Sequence, residues 1–237
     1  MKNILFASTA LVAAATAGVV HAADAPVGTV GGYMFMGAGI TDFTGTGDAE
    51  VGILRDGEIH LGWRGTSDNG LTFRGRIELE AFSAPGDQID ENWGEVSGSF
   101  GSLLIGSNDS AADNYGDVGI IYGPGARLAY YDGFGTVPTA FSDDAGDALG
   151  IRYATPSISG FTAAVSYHPN GATEGVNDTG YGVASRGIGG PRHVYSIGAN
   201  YSGEFSGATV QVGADYTAAD NSARREVWSV GGLVGFQ

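Results

Sequence analysis

The chain has no cysteine among its 237 residues, which excludes a disulfide scaffold, a zinc ribbon and a thiol nucleophile. Basic residues are scarce: 11 Lys and Arg stand against 26 Asp and Glu, for a net charge of −15. So acidic a chain lacks the clustered Lys and Arg that neutralise a phosphate backbone, and no nucleic acid is expected as a partner. Beyond Ala22 no stretch approaches the ~20 apolar residues that a spanning helix requires. The 42 glycines follow no Gly-X-Y period, so a collagen-like rod is excluded. Yet 43% hydrophobic and 11% aromatic residues are too many for a disordered chain.

The first residues read as an export signal. Met1-Lys2-Asn3 is a short basic start, residues 4–20 are apolar and Ala-rich, and Val20-His21-Ala22 offers small residues before a cut. The expected division is a signal peptide over 1–22 and one β domain over 23–237. Its removal deletes Lys2, the only lysine, and leaves ten Arg against 26 acids.

The mature part reads as short two-faced strands. In residues 71–81, Leu71, Phe73, Ile77, Leu79 and Ala81 share one face, while Thr72, Arg74, Arg76, Glu78 and Glu80 share the other. A strict period of two sorts charges this way only on a strand. Ile59, Leu61 and Trp63 alternate likewise with Glu58, His60 and Arg64, and residues 66–70, with Asn69-Gly70, predict the turn between the two strands. Similar alternation over 29–40, 92–98, 102–106, 149–155, 161–167, 195–201, 208–216 and 226–236 brings the expectation to about ten strands, with no helix outside the signal. Short turns (66–70, 99–101, 156–160, 202–207) alternate with long loops (41–57, 107–147, 168–193).

What meets the apolar face decides the fold. In a soluble sandwich it meets another sheet. In an outer-membrane barrel it meets lipid, and the polar face lines a lumen. Charged residues on the polar faces of consecutive strands, aromatics at strand ends (Trp63, Phe73, Tyr153, Phe161, Tyr167, Tyr201, Tyr216) and the alternation of short and long connections favour the barrel.

At this point the sequence resembles the general porins of Gram-negative bacteria, most closely those of the alphaproteobacterial type. Residues 65–73, Gly-Thr-Ser-Asp-Asn-Gly-Leu-Thr-Phe, are similar to the family's second hairpin. Ser97-Gly98-Ser99-Phe100-Gly101-Ser102-Leu103 with Gly106 resembles its "SG-x-FG-x-L-x-x-G" turn. Arg152-Tyr153-Ala154-Thr155-Pro156 with Gly160-Phe161 resembles a further hairpin. The resemblance implies an all-β transmembrane antiparallel barrel of roughly sixteen strands. It further implies a homotrimer in the outer membrane, in contact with lipid and lipopolysaccharide. Small hydrophilic solutes and ions would diffuse through it, with no cofactor and no enzymatic step. With about ten strands in view, the chain is expected to lack the family's last strands, or else to be a smaller complete barrel. The family often sets an arginine in the strand before the first of these turns, where this chain has Glu58 and His60.

The resemblance also implies an inward third loop, here about 107–147, which holds Asp109, Asp113, Asp117, Asp132, Asp143, Asp144 and Asp147 with Arg127. The expected constriction sets Arg64, Arg74 and Arg76 against Asp109, Asp113 and Asp117, giving a transverse field. Glu58, His60, Glu78, Glu80, Arg152 and Asp215 are expected to face the lumen, and the acid excess predicts a modest cation preference. Two other classes remain: a non-conducting structural or adhesin barrel, and an outer-membrane barrel hydrolase. A metal site finds little support, since His60, His168 and His193 show no His-x-x-x-His spacing and no metal-binding residues are expected. Asp42, Asp48, Asp143, Asp144 and Asp147 could take calcium through carboxylate oxygens, or be solvated loop acids.

Overall fold

In a computed structural model, the chain is described over residues 26–41, 50–82, 88–116, 118, 147–171, 191–220 and 225–236. Ten strands follow one another: β1 (Val27–Thr41), β2 (Glu50–Thr66), β3 (Thr72–Glu80), β4 (Ile89–Gly98), β5 (Gly101–Ser107), β6 (Leu149–Ala154), β7 (Phe161–Asn170), β8 (Arg192–Phe205), β9 (Ala208–Asp220) and β10 (Arg225–Phe236). They form one sheet in sequence order, with β1 and β10 at its edges, and every neighbouring pair is antiparallel. Strands adjacent in the chain are thus adjacent in the sheet, the simplest topology open to an alternating sequence.

Several strands are longer than the alternation suggested, while β3 and β6 are slightly shorter. Residues 50–57, read as loop, belong to β2, and β7 and β8 extend to Asn170 and Arg192. Arg55-Asp56-Gly57 carries no apolar alternation, and only its pairing with β1 (Met36↔Arg55, Phe35↔Asp56, Met34↔Gly57) makes it strand. The turn at 67–70 closes with Gly70 N–H donating to the Ser67 carbonyl at 2.9 Å, and of Asn69 and Gly70 only Gly70 has positive φ, +82°. Glycine alone takes the left-handed position, whereas the common two-residue Asn-Gly hairpin turn places both residues there.

Among the described residues a helix, α1 (Ala111–Gly116), departs from the expectation of strands alone. Ser110 caps it, its Oγ accepting from Asp113 N–H at 3.3 Å and its carbonyl from Asn114 N–H at 3.1 Å. Six residues give too few turns for a 3.6-residue period to show in a sequence.

The register sorts the sheet into an inner face, on which α1 lies, and an outer face. The outer face is apolar and exposed: Val30 is 79%, Ile53 81% and Trp228 74% accessible, with Leu61, Ile105, Ile151, Val165, Ile197 and Val212 among the other exposed members. Trp63, Phe73, Tyr153, Phe161 and Tyr201 stand toward the short turns, while Tyr167, Tyr195, Tyr216 and Trp228 stand toward the loops. Phe161 and Tyr167, six residues apart on β7, are separated by about 20 Å at strand rise, which approaches the height of the apolar band of an outer-membrane barrel. Among the described residues buried apolar side chains are few: Ala111 of α1 clusters with Ala154, Ala164 and Tyr115, and Ala148 with Val194 forms a second small group. The protein is therefore polar within and apolar without.

Candidate functional site

The chain leaves β5 at Ser107 and turns onto the inner face. Asn108 Nδ2 donates to Glu91 Oε1 of β4 at 2.8 Å, and Arg152 NH1 of β6 donates to the Asp109 carbonyl, also at 2.8 Å. Ala111 N–H donates to Ser166 Oγ of β7 at 2.9 Å, and Asn200 Nδ2 of β8 donates to the Tyr115 carbonyl at 3.0 Å. The segment then crosses glycines. A Cβ on Gly198 would collide with the Ala111 carbonyl, on Gly213 with that of Gly116, and on Gly231 with that of Val118. Three adjacent strands lack side chains along one track, and the segment's backbone occupies it. Residues 108–116 and 118 of the expected inward loop therefore lie on the inner face, and Ser107 ends β5; 117 and 119–146, with Arg127, Asp132, Asp143 and Asp144, fall outside the described residues.

The inner face carries the charged residues, and they are linked to one another. Tyr33 OH lies 2.8 Å from Glu58 Oε1 and 3.1 Å from Asp56 Oδ2. His60 Nε2 lies 2.6 Å from Glu58 Oε2 and 3.3 Å from Glu78 Oε2. Arg76 NH2 stands 2.6 Å from His60 Nδ1, and its Nε 2.6 Å from Glu78 Oε1. With Arg76 donating to Nδ1, the imidazole is the tautomer whose Nε2–H donates to Glu58. Arg74 donates from Nε and NH2 to both oxygens of Glu95, at 2.8 and 2.9 Å, and lies 5.8 Å from the centre of the Trp93 ring. Arg64 is paired in register with Arg74. Arg64, Arg74, Glu95, Tyr115 and the hydroxyl-bearing Ser97 and Ser102 line a recess of about 280 Å³.

Glu58, His60, Glu78, Glu80, Arg152 and Asp215 all lie on this inner face by register, as do Arg64, Arg74 and Arg76. The expected opposition of those three arginines to Asp109, Asp113 and Asp117 does not appear at Asp109. Its carboxylate groups instead with Glu91 and Asp147, their oxygens within 4.8 Å of one another. The reason is local: Glu95 on the neighbouring strand and Glu78 on the same strand reach Arg74 and Arg76 first. Asp113 sits on α1, and Asp117 lies outside the described residues. Tyr115 is the helix residue that meets the arginines, its ring 5.6 Å from the Arg152 guanidinium carbon.

Asp147, at the loop's return to β6, is held among like charges. Burial, then the carboxylates of Asp109, Asp90 and Glu91, pushes its carboxyl up to about 10, so alone it keeps its proton at neutral pH. A second cluster, Glu58–His60–Glu78, has metal-ligand spacing but includes Arg76 against both His60 and Glu78, a cation already in place.

Sequence reasoning missed Glu91, Trp93 and Glu95 as wall residues, although Glu91, Trp93, Glu95 and Ser97 keep the period of two that would have marked them. It also missed Tyr115 and the glycine track, for which no sequence signal exists without the pairing of β8, β9 and β10.

A profile described as Gram-negative porin matches residues 7–237. No curated protein sequence matches the chain. Among solved structures, it is similar to an anion-selective porin from Comamonas acidovorans, with a TM-score of 0.44 and 17% sequence identity over 89% of this chain and 73% of that one.

Proposed function

Because the chain belongs to the Gram-negative porin family, whose members are outer-membrane channels, we propose that it forms a water-filled pore through which ions and small hydrophilic solutes diffuse passively. The observation that carries this reading is the inversion of the two faces. Exposed aliphatic residues ringed by aromatics suit lipid, and a continuous charged, hydrogen-bonded face suits water. The segment that follows Ser107, laid across the inner face, would narrow the bore. Arg64, Arg74, Arg76 and Arg152 with Glu58, Glu78, Glu80, Glu91 and Glu95 would line it. No step of bond chemistry is needed, because transfer down a gradient requires only a polar path. Export by a cleaved leader, assembly as a homotrimer and contact with lipopolysaccharide belong to the same proposal.

Planar-bilayer recording tests it. Purified protein should insert in discrete steps of ohmic conductance. Stable insertion into vesicles without any conductance step would replace the channel with a structural barrel.

A further inference from the structure

We propose that Glu91, Asp109 and Asp147, with the Asn108 side-chain carbonyl, bind a divalent cation of calcium size at the root of the inward segment. The three carboxylates come from different places: Glu91 from the β4 wall, Asp109 from the chain leaving β5, and Asp147 from the chain returning to β6. Their oxygens lie within 4.8 Å of one another. Opposite ligands of a Ca²⁺ ion held at about 2.4 Å are separated by that distance, whereas Mg²⁺ at about 2.1 Å requires a tighter cage.

A gathering of acids alone would be no site, but Asn108 adds an independent sign. It is 7% exposed, and its Oδ1 is buried without a hydrogen-bond partner among the described residues. The same carboxamide donates from Nδ2 to Glu91 Oε1 at 2.8 Å, so the side chain that carries the unpaired oxygen is already bonded to one member of the cluster. A buried carbonyl oxygen left unpaired is destabilising, and a cation is the partner that would satisfy it together with the three crowded carboxyl groups. Oxygen-only donors, three of them carboxyl groups, suit a hard cation over a transition metal. The bound ion would join both ends of the 109–147 excursion to the barrel wall.

Trp93 supplies a reporter, since its Nε1 donates to Glu91 Oε2 at 3.2 Å. Tb³⁺ added to the detergent-solubilised protein, with tryptophan excited selectively, should give sensitised emission that Ca²⁺ reverses and Mg²⁺ displaces poorly. The isosteric double variant Asp109→Asn, Asp147→Asn should bind about tenfold or more weakly, because two anionic ligands are lost. Trp93→Phe should abolish sensitisation while keeping the Ca²⁺-induced rise in melting temperature. Each variant is first checked for heat-resistant folded protein. Undiminished emission in the folded double variant, or no emission from the folded native protein, would overturn the proposal; neither result bears on conductance.

Discussion

Arg74 and Glu95 face each other across β3 and β4, with Nε and NH2 each bonded to one carboxylate oxygen at 2.8 and 2.9 Å. The pair is asymmetric in burial: the Arg74 side chain is 51% exposed and that of Glu95 only 4%. Each partner's loss therefore has a different consequence.

Removing the arginine strands a buried carboxylate, and removing the carboxylate leaves a guanidinium that reaches water. Arg74→Gln should destabilise the barrel by about 1–2 kcal/mol, below the cost of a fully buried pair because the guanidinium is half solvated. Glu95→Gln should cost less than Arg74→Gln. Urea unfolding of the refolded protein in micelles measures both, and the reverse order would contradict the burial asymmetry.

The glycine track predicts the seat of the inward segment. Gly198→Val and Gly213→Val place branched side chains where the carbonyls of Ala111 and Gly116 now rest, so α1 must lift from the wall. If this segment sets the bore, single-channel conductance should change and become noisier, with the strands still folded. Gly235→Val serves as the control and should leave conductance unaltered, because a Cβ at that position on β10 would meet nothing within 4 Å.

The outer face predicts a penalty that soluble proteins do not show. Val165, midway along β7 and 48% exposed, should not tolerate arginine: Val165→Arg should cost about 2–4 kcal/mol of folding stability in lipid. Gln211→Arg, on the inner face of β9, should stay within about 0.5 kcal/mol. Folding yield into vesicles across a denaturant series distinguishes them.

The strands were legible because two solvents imposed a period of two on them. Residues 71–81 show it in full, and the register then places Ile77 with Leu61 and Arg74 with Arg64, as the faces required. Legibility failed where pairing, not side-chain polarity, makes the structure. Arg55-Asp56-Gly57 is strand because β1 lies beside it, and the Gly198, Gly213 and Gly231 track exists because three strands align. The wall charges were partly legible: Arg74 and Arg76 stood out by alternation. Their partners Glu95 and His60, and the joining of Asp109 to Glu91 and Asp147, depend on which strands are neighbours.

Ion preference follows from which charges the inner face holds. Arg64, Arg74, Arg76 and Arg152 stand against Glu58, Glu78, Glu80 and Asp215 in the sequence, a near balance. The register adds Asp56, Glu91, Glu95 and Glu204 to the acidic side against Arg192, with Asp109 at the segment's root. Pairing does not erase the excess: Arg74 neutralises Glu95 and Arg76 offsets Glu78, but Glu58 is held by Tyr33 and His60, and Asp56 by Tyr33. A negative wall in a narrow aqueous path raises the local cation concentration. We predict a modest cation preference that weakens as salt rises and the Debye length falls from about 10 Å at 0.1 M to about 3 Å at 1 M. Glu58→Gln should reduce it, because its charge is held by hydrogen bonds and not by an arginine. Zero-current potentials across a KCl gradient read both effects, and a potential of anion-selective sign in the native protein would refute the charge argument while leaving the channel intact.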